Sequence, residues 1–236
     1  MKYSQSRISS RLLKFSSLLA LFGLIVGTSN AATIVYNFDD DPNASSANVS
    51  GIDAATIDAS SFVGPGGGAS ISTGTDTAFI NFSNLANDKA ASLTSNNYFT
   101  FTLTGVGTNF DLSSFTIDFG GNRGGEETAT PNIIVLSNAT GSFEELSVTP
   151  NSFLLDNDNS NTREFTTGIV DISGSDFDSL SSVTFEIRAF DGGAVSSSGA
   201  FRINSVSLGA VAIPEPATFA FALASLSLGF CVFRRR

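Results

Sequence analysis

The sequence predicts an all-β protein, an antiparallel β-sandwich of jelly-roll type. Three observations carry that expectation. Apolar and polar residues alternate with a period of two in several short segments, which buries one face of a strand and wets the other. Those segments are rich in Phe, Ile, Val and Thr, side chains that suit a pleated, half-buried surface. The intervening stretches are rich in Gly, Asn, Asp and Ser, and no long part of the body carries the 3.6-residue period of an amphipathic helix.

The first strand is expected over residues 33–38, where Ile34, Tyr36 and Phe38 share a face. A second covers residues 77–82. Residues 98–104 alternate Phe99, Phe101 and Leu103 with Thr100, Thr102 and Thr104, and residues 113–119 put Phe115, Ile117 and Phe119 on one side. The unbroken apolar run at 133–136 fits a strand inside a sheet. Residues 182–190 set Val183, Phe185, Ile187 and Ala189 against Thr184, Glu186 and Arg188. In the last segment Phe201 and Ile203 give way to Val206 and Leu208, so the phase slips near Asn204-Ser205, as at a bulge. Short helical turns are expected over 84–93 and 175–180. Gly64-Pro65-Gly66-Gly67-Gly68 and Gly120-Gly121-Asn122-Arg123-Gly124-Gly125 read as loops, and neither has the spacing of a phosphate cradle. Residues 191–199 link the last two strands. Eight to ten strands of this kind fit a sandwich. Sixteen of the 22 phenylalanines fall in this body, where core packing accounts for them.

Composition excludes several chemistries. Histidine is absent, which removes imidazole acid-base catalysis, histidine metal sites and Ser-His-Asp triads. Between residues 33 and 213 the basic side chains are Lys89, Arg123, Arg163, Arg188 and Arg202, against 21 acidic ones, a net of −16. That disfavours nucleic acid and anionic membrane surfaces as partners. The single cysteine, Cys231, lies outside this body, so no disulfide framework holds it.

Both ends of the chain read as addresses. Residues 1–31 have a basic start (Lys2, Arg7, Arg11, Lys14), an apolar stretch at 15–26, and small residues at Ser29 and Ala31. This is the pattern of a secretory signal peptide, with cleavage expected between Ala31 and Ala32. The sandwich domain then covers 32–211. Within 212–236, Pro214-Glu215-Pro216 precedes an uncharged, mostly apolar run at 217–233, and Arg234-Arg235-Arg236 ends the chain. As a helix, at about 1.5 Å per residue, that run spans roughly 25 Å, the short end of what crosses a bilayer. The arginines favour a cytoplasmic terminus, and the two prolines keep Glu215 outside the helix.

This order of elements resembles the PEP-CTERM tail of bacterial surface proteins. The resemblance covers only residues 212–236. It implies export through a translocase, a transient inner-membrane anchor, and handling by an exosortase-like membrane protease that leaves the product at the cell surface or in extracellular polysaccharide. The sorting residues would be Pro214, Glu215, Pro216, Arg234, Arg235 and Arg236. Separately, residues 201–208 are similar to the closing strand of exported sandwich domains, carbohydrate-binding modules among them.

Two loops carry candidate cation ligands. Asp156, Asp158 and Ser160 have the alternate spacing of a calcium shell, but Asn161 replaces the turn glycine and Thr167 the bidentate glutamate. Asp39-Asp40-Asp41 is the other. A structural Ca²⁺ is the one cofactor the sequence suggests. Glycosidase chemistry needs two carboxyls about 5–9.5 Å apart across a cleft. Neighbours on a strand, such as Glu126-Glu127 or Glu144-Glu145, point to opposite faces. No catalytic residues are expected, and the chain reads as a non-catalytic exported surface or matrix protein. One alternative is a carbohydrate-binding module, for which the body offers only Tyr36 and Tyr98 as tyrosine platforms. A further alternative is ice or surface binding through the rank Thr100, Thr102 and Thr104.

Overall fold

The computed structural model describes residues 31–38, 46–64, 69–72, 77–81, 85–123, 130–153, 164–191 and 199–213. In chain order the strands are β1 (Ala31–Asn37), β2 (Asn48–Gly51), β3 (Ile57–Ala59), β4 (Ala69–Ser72), β5 (Thr77–Asn81), β6 (Tyr98–Gly105) and β7 (Asn109–Arg123). They continue with β8 (Pro131–Ser137), β9 (Glu144–Leu146), β10 (Val148–Thr149), β11 (Glu164–Val170), β12 (Ser182–Asp191) and β13 (Gly199–Ile213). One short helix, α1 (Lys89–Thr94), precedes β6; Asp88 caps it by accepting from Ala91 N at 2.8 Å.

The strands form two antiparallel sheets. The larger has the order β10-β11-β7-β13-β1-β2, with β4 joined through β5 to the first part of β13. The smaller has the order β3-β6-β12-β8-β9. Successive long strands change sheet: β6 lies in the smaller, β7 in the larger, β8 in the smaller, β11 in the larger, then β12 and β13 again on opposite sides. That winding builds the two-sheet antiparallel sandwich the sequence predicted. All described residues belong to one unit that begins at Ala31.

The period-two faces meet between the sheets. Phe99, Phe101 and Leu103 of β6 and Val183, Phe185 and Ile187 of β12 are buried against Phe115, Ile117 and Phe119 of β7, with Ile34 and Tyr36 of β1 and Val206 and Leu208 of β13. Phe101 is the centre of an aromatic group, with ring centroids 5.0 Å from Tyr36, 5.3 Å from Phe185, 5.7 Å from Phe62 and 6.2 Å from Phe115. Phe119, Phe153 and Phe201 make a second group towards the other end.

Several local expectations change in the structure. The register of β13 against β7 shifts between Ile203 and Ser205, where the sequence phase slips, and again between Gly209 and Ala210. A Cβ on Gly209 would lie 2.6 Å from Ser113 Oγ and 2.7 Å from Ser114 Oγ, so the second irregularity needs glycine for close approach. Gly120 to Arg123, expected as a loop, is instead the end of β7, where Gly120 and Gly121 pair with β11 on one side and β13 on the other. Two flanking strands override the weak strand preference of glycine there. The turn expected over 175–180 is a single 3₁₀ turn, Ser175–Phe177. On β8, Ile133 and Val135 enter the core, while Ile134 and Leu136 are buried on the opposite face.

Tyr36 shows how a polar group is accommodated in this core. Its ring is fully buried and its hydroxyl donates to the Ser60 carbonyl at 2.6 Å. Burial, and secondarily the nearby Asp58 charge, push the phenol well above its ordinary pKa. A raised value means that the folded state holds the proton after the unfolded chain has lost it. The stabilisation is therefore complete below the ordinary tyrosine value, about 10, and declines as pH climbs beyond it. Tyr36→Phe is expected to cost about 1 kcal/mol at neutral pH through the lost hydrogen bond. It should also flatten the alkaline fall in stability. Urea titrations at pH 7 and above pH 10 check this; an alkaline slope equal to that of the unmodified protein would refute it.

Candidate binding face

The alternation that buries Phe99, Phe101 and Leu103 turns Thr100, Thr102 and Thr104 to the outer face of the smaller sheet. On β12 the same rule turns out Ser182, Thr184, Glu186 and Arg188. Antiparallel register brings these into rows: Thr104 opposite Ser182, Thr102 opposite Thr184, Thr100 opposite Glu186, and Tyr98 opposite Arg188. The hydroxyls of Thr102 and Thr184 are 2.8 Å apart, and those of Thr104 and Ser182 3.3 Å. Ser182 Oγ also donates to the Leu103 carbonyl at 2.9 Å. Ser60 Oγ accepts from Thr102 N at 2.9 Å beside the β3 edge, and Val63 exchanges both backbone hydrogen bonds with Thr100. Thr104 and Ser182 are exposed; Thr100, Thr102 and Thr184 are half-buried. The result is two neighbouring ranks of hydroxyls, one per strand, spaced about 4.7–4.9 Å apart.

The end of this face nearest α1 is organised by Arg188. Its Nε and Nη2 donate to Glu186 Oε2 at 3.1 and 2.7 Å. Its Nη1 donates to the carbonyls of Ser92 and Ser95, both at 2.8 Å, so the guanidinium ties the last turn of α1 to β12. The same group lies 4.3 Å from the centroid of the Tyr98 ring, a cation–π contact that fixes the ring. Ser92 Oγ completes the junction by donating to the Ala189 carbonyl at 3.0 Å. Lys89 of α1 reaches Glu145 of β9 at 2.6 Å. Glu186 and Glu145 thus each face a cation, while exposed Asp58 of β3, opposite Thr104, puts a carboxylate at the other edge of the hydroxyl ranks. Tyr98 stays half-exposed at one end, next to the exposed Val63.

This arrangement can donate and accept hydrogen bonds and offer an apolar ring edge. Among the described residues no three His, Cys, Asp or Glu side chains stand close enough to hold a metal ion. Glu144 and Glu145 lie on β9 opposite Ser137 and Leu136, which face opposite ways, so the doublet does not form a carboxyl pair across a cleft. Tyr36, weighed from sequence as a stacking platform, is in the core.

Of the other residues singled out in the sequence, Ala31 is exposed and Ala32 buried at the start of β1, opposite Val211 and Ala210. Asp39, Asp40, Asp41, Glu126, Glu127, Asp156, Asp158, Ser160, Pro214, Glu215, Pro216, Arg234, Arg235 and Arg236 lie outside the described residues. No helix among the described residues is long and apolar enough to cross a membrane. Sequence reasoning missed the second hydroxyl rank and the Arg188 junction. The alternation on β12 was visible, but the pairing of β6 with β12, some 80 positions away, was not.

No known family model matches the chain, and no curated protein sequence does either. Solved structures do. The chain is similar to the isomalto-dextranase of Arthrobacter globiformis T6, solved with panose, at 15% identity over 56% of this chain and 18% of that one, with a TM-score of 0.29. It thus spans less than a fifth of that enzyme. It is similar to the N-terminal cellulose-binding domain of a Cellulomonas fimi β-1,4-glucanase at 15% identity over 75% of this chain and 94% of that one, with a TM-score of 0.28. A carbohydrate-binding module solved with β-1,4-galactotriose matches at 10% identity over 64% and 86%, with a TM-score of 0.25. Superpositions this weak leave the sandwich to stand on its own strand order.

Proposed function

We propose that the chain is an exported, non-catalytic carbohydrate-binding protein, carried to the outside by its terminal signals and sorted there by a PEP-CTERM/exosortase-like system. The observation that supports binding is the outer face of the smaller sheet: paired hydroxyl ranks beside a half-exposed tyrosine, with Glu186 and Glu145 each paired to a cation. An uncharged glycan presents hydroxyls and C–H edges. It can exchange hydrogen bonds with Thr104, Ser182 and their neighbours and rest a ring edge on Tyr98. An acidic glycan would be repelled by the rest of the body, with its net charge of −16. The face itself, not the weak structural likenesses, carries this reading.

Affinity electrophoresis through gels containing neutral or acidic polysaccharides tests it. Retardation is expected only with neutral polymers. Replacing Thr104 and Thr184 by valine keeps the shape of each side chain and removes two hydroxyls, worth roughly 1 kcal/mol each, so affinity should fall by at least about tenfold. Equal mobility in every gel would reject carbohydrate binding. Thermal hysteresis from the same protein would then favour the ice-binding reading of the threonine ranks. For the sorting part, mass spectrometry of the exported protein should find no product ending at Arg236.

A further inference from the structure

The chain enters and leaves the sandwich at the same end. Ala31, the first residue of β1, lies opposite Val211, and Ala32 lies opposite Ala210. β13 continues past β1 and stays paired with β7 to its last residue: Val211 with Asp111, Ala212 with Phe110, Ile213 with Asn109. The Thr108 hydroxyl donates to the Ile213 carbonyl and fastens the final residue. The regular sheet therefore runs up to the residue before Pro214. Only Pro214, Glu215 and Pro216 separate it from the apolar run at 217–233. Three residues reach at most about 11 Å, whatever their conformation.

Resting on the sorting reading above, we propose that the end of β13 is a latch on tail processing, so that the sorting protease engages the segment around Pro214 only when the last residues of β13 separate from β7. A protease takes its substrate as an extended strand and hydrogen-bonds to its backbone on both sides of the cut. Up to Val211 the backbone of β13 is already paired with β1 on one edge and β7 on the other. At Ala212 and Ile213 it is paired with β7. The bond that is broken passes its acyl carbon to water or to an acceptor nucleophile and a proton to the departing nitrogen, so the reaction needs nothing further from this chain. What the chain controls is access. Val211, Ala212 and Ile213 are only half-buried, so this end can open locally without loss of the aromatic core. Processing would then follow the rate of local opening rather than the affinity of the protease for the tail.

Two variants of the full chain test this, in cells that carry the sorting enzyme and with Cys231→Ser as the background. In the first, six residues of Gly and Ser are inserted between Ile213 and Pro214, which gives the protease slack. In the second, Asn109→Cys and Ile213→Cys form a cross-strand disulfide that locks the end of β13 to β7. Pulse-chase labelling should show tail removal several-fold faster with the insert. The locked variant should retain its tail until reductant is added, the reversal showing that its fold is intact. Equal rates for all three chains overturn the latch and leave the sorting reading in place. A parent chain that keeps its tail throughout overturns the sorting reading and the latch with it.

Discussion

Arg188→Ala is expected to lower the unfolding free energy by about 3–5 kcal/mol, the range for breaking a largely buried ion pair from one side. The side chains of Arg188 and Glu186 are only 7% and 13% exposed. Removing the guanidinium leaves the Glu186 carboxylate in a poorly solvated place without its cation. It also takes a donor from the carbonyls of Ser92 and Ser95 and uncovers the Tyr98 ring, leaving the Ser92 Oγ bond to the Ala189 carbonyl to hold α1 on β12. The Lys89–Glu145 bridge provides the contrast: its side chains are 49% and 42% exposed, and Lys89→Ala should cost no more than about 1 kcal/mol. A double variant, Arg188→Met with Glu186→Leu, should recover much of the loss, because it removes both charges together. Urea titration of the purified chain measures all three. A loss below about 1 kcal/mol for Arg188→Ala would show that the pair is better solvated than its burial implies.

Phe101→Ala is expected to cost a similar amount, about 3–5 kcal/mol, by a different route. Phe101 is almost wholly buried and contacts four other rings, from both sheets and the segment between β3 and β4. Its removal leaves a cavity among large rigid neighbours that cannot collapse into it. Phe143, at 45% exposed, is the control: Phe143→Ala should change stability by no more than about 0.5 kcal/mol. Comparable losses at the two positions would show that the aromatic group does not hold the sheets together. With no cysteine between β1 and β13, burial of this kind has to supply what a disulfide supplies in many exported domains.

The strands that build the two sheets differ in how legible they are, for a physical reason. β1, β6, β12 and the first part of β13 each have one wet face and one dry face, so their side chains alternate and the pattern shows. β11 hides because Gly168 replaces a core side chain; a Cβ there would be 2.8 Å from Phe119 Cε1 and 2.9 Å from Val148 Cγ1. The end of β7 hides because Gly120 and Gly121 carry no side chain to mark a face. β2, β3, β4, β9 and β10 have four residues or fewer, too short for any period to register. The binding face was legible only in half. Thr100, Thr102 and Thr104 announce a rank on β6, but its partner rank follows from register, and register is decided by contacts between distant parts of the chain. The Arg188 junction depends on α1 folding back over β12, which no local pattern encodes.

The pairing of the first strand with the last has a consequence for biosynthesis. Until residues 205–211 emerge from the ribosome, β1 has no main partner, and β7 lacks the neighbour that covers one of its edges along nearly its whole length. A growing chain that lacks β13 cannot close the larger sheet, so completion of the fold waits for almost the entire polypeptide. Such a sequence can close its larger sheet only when nearly all of its strands have been made.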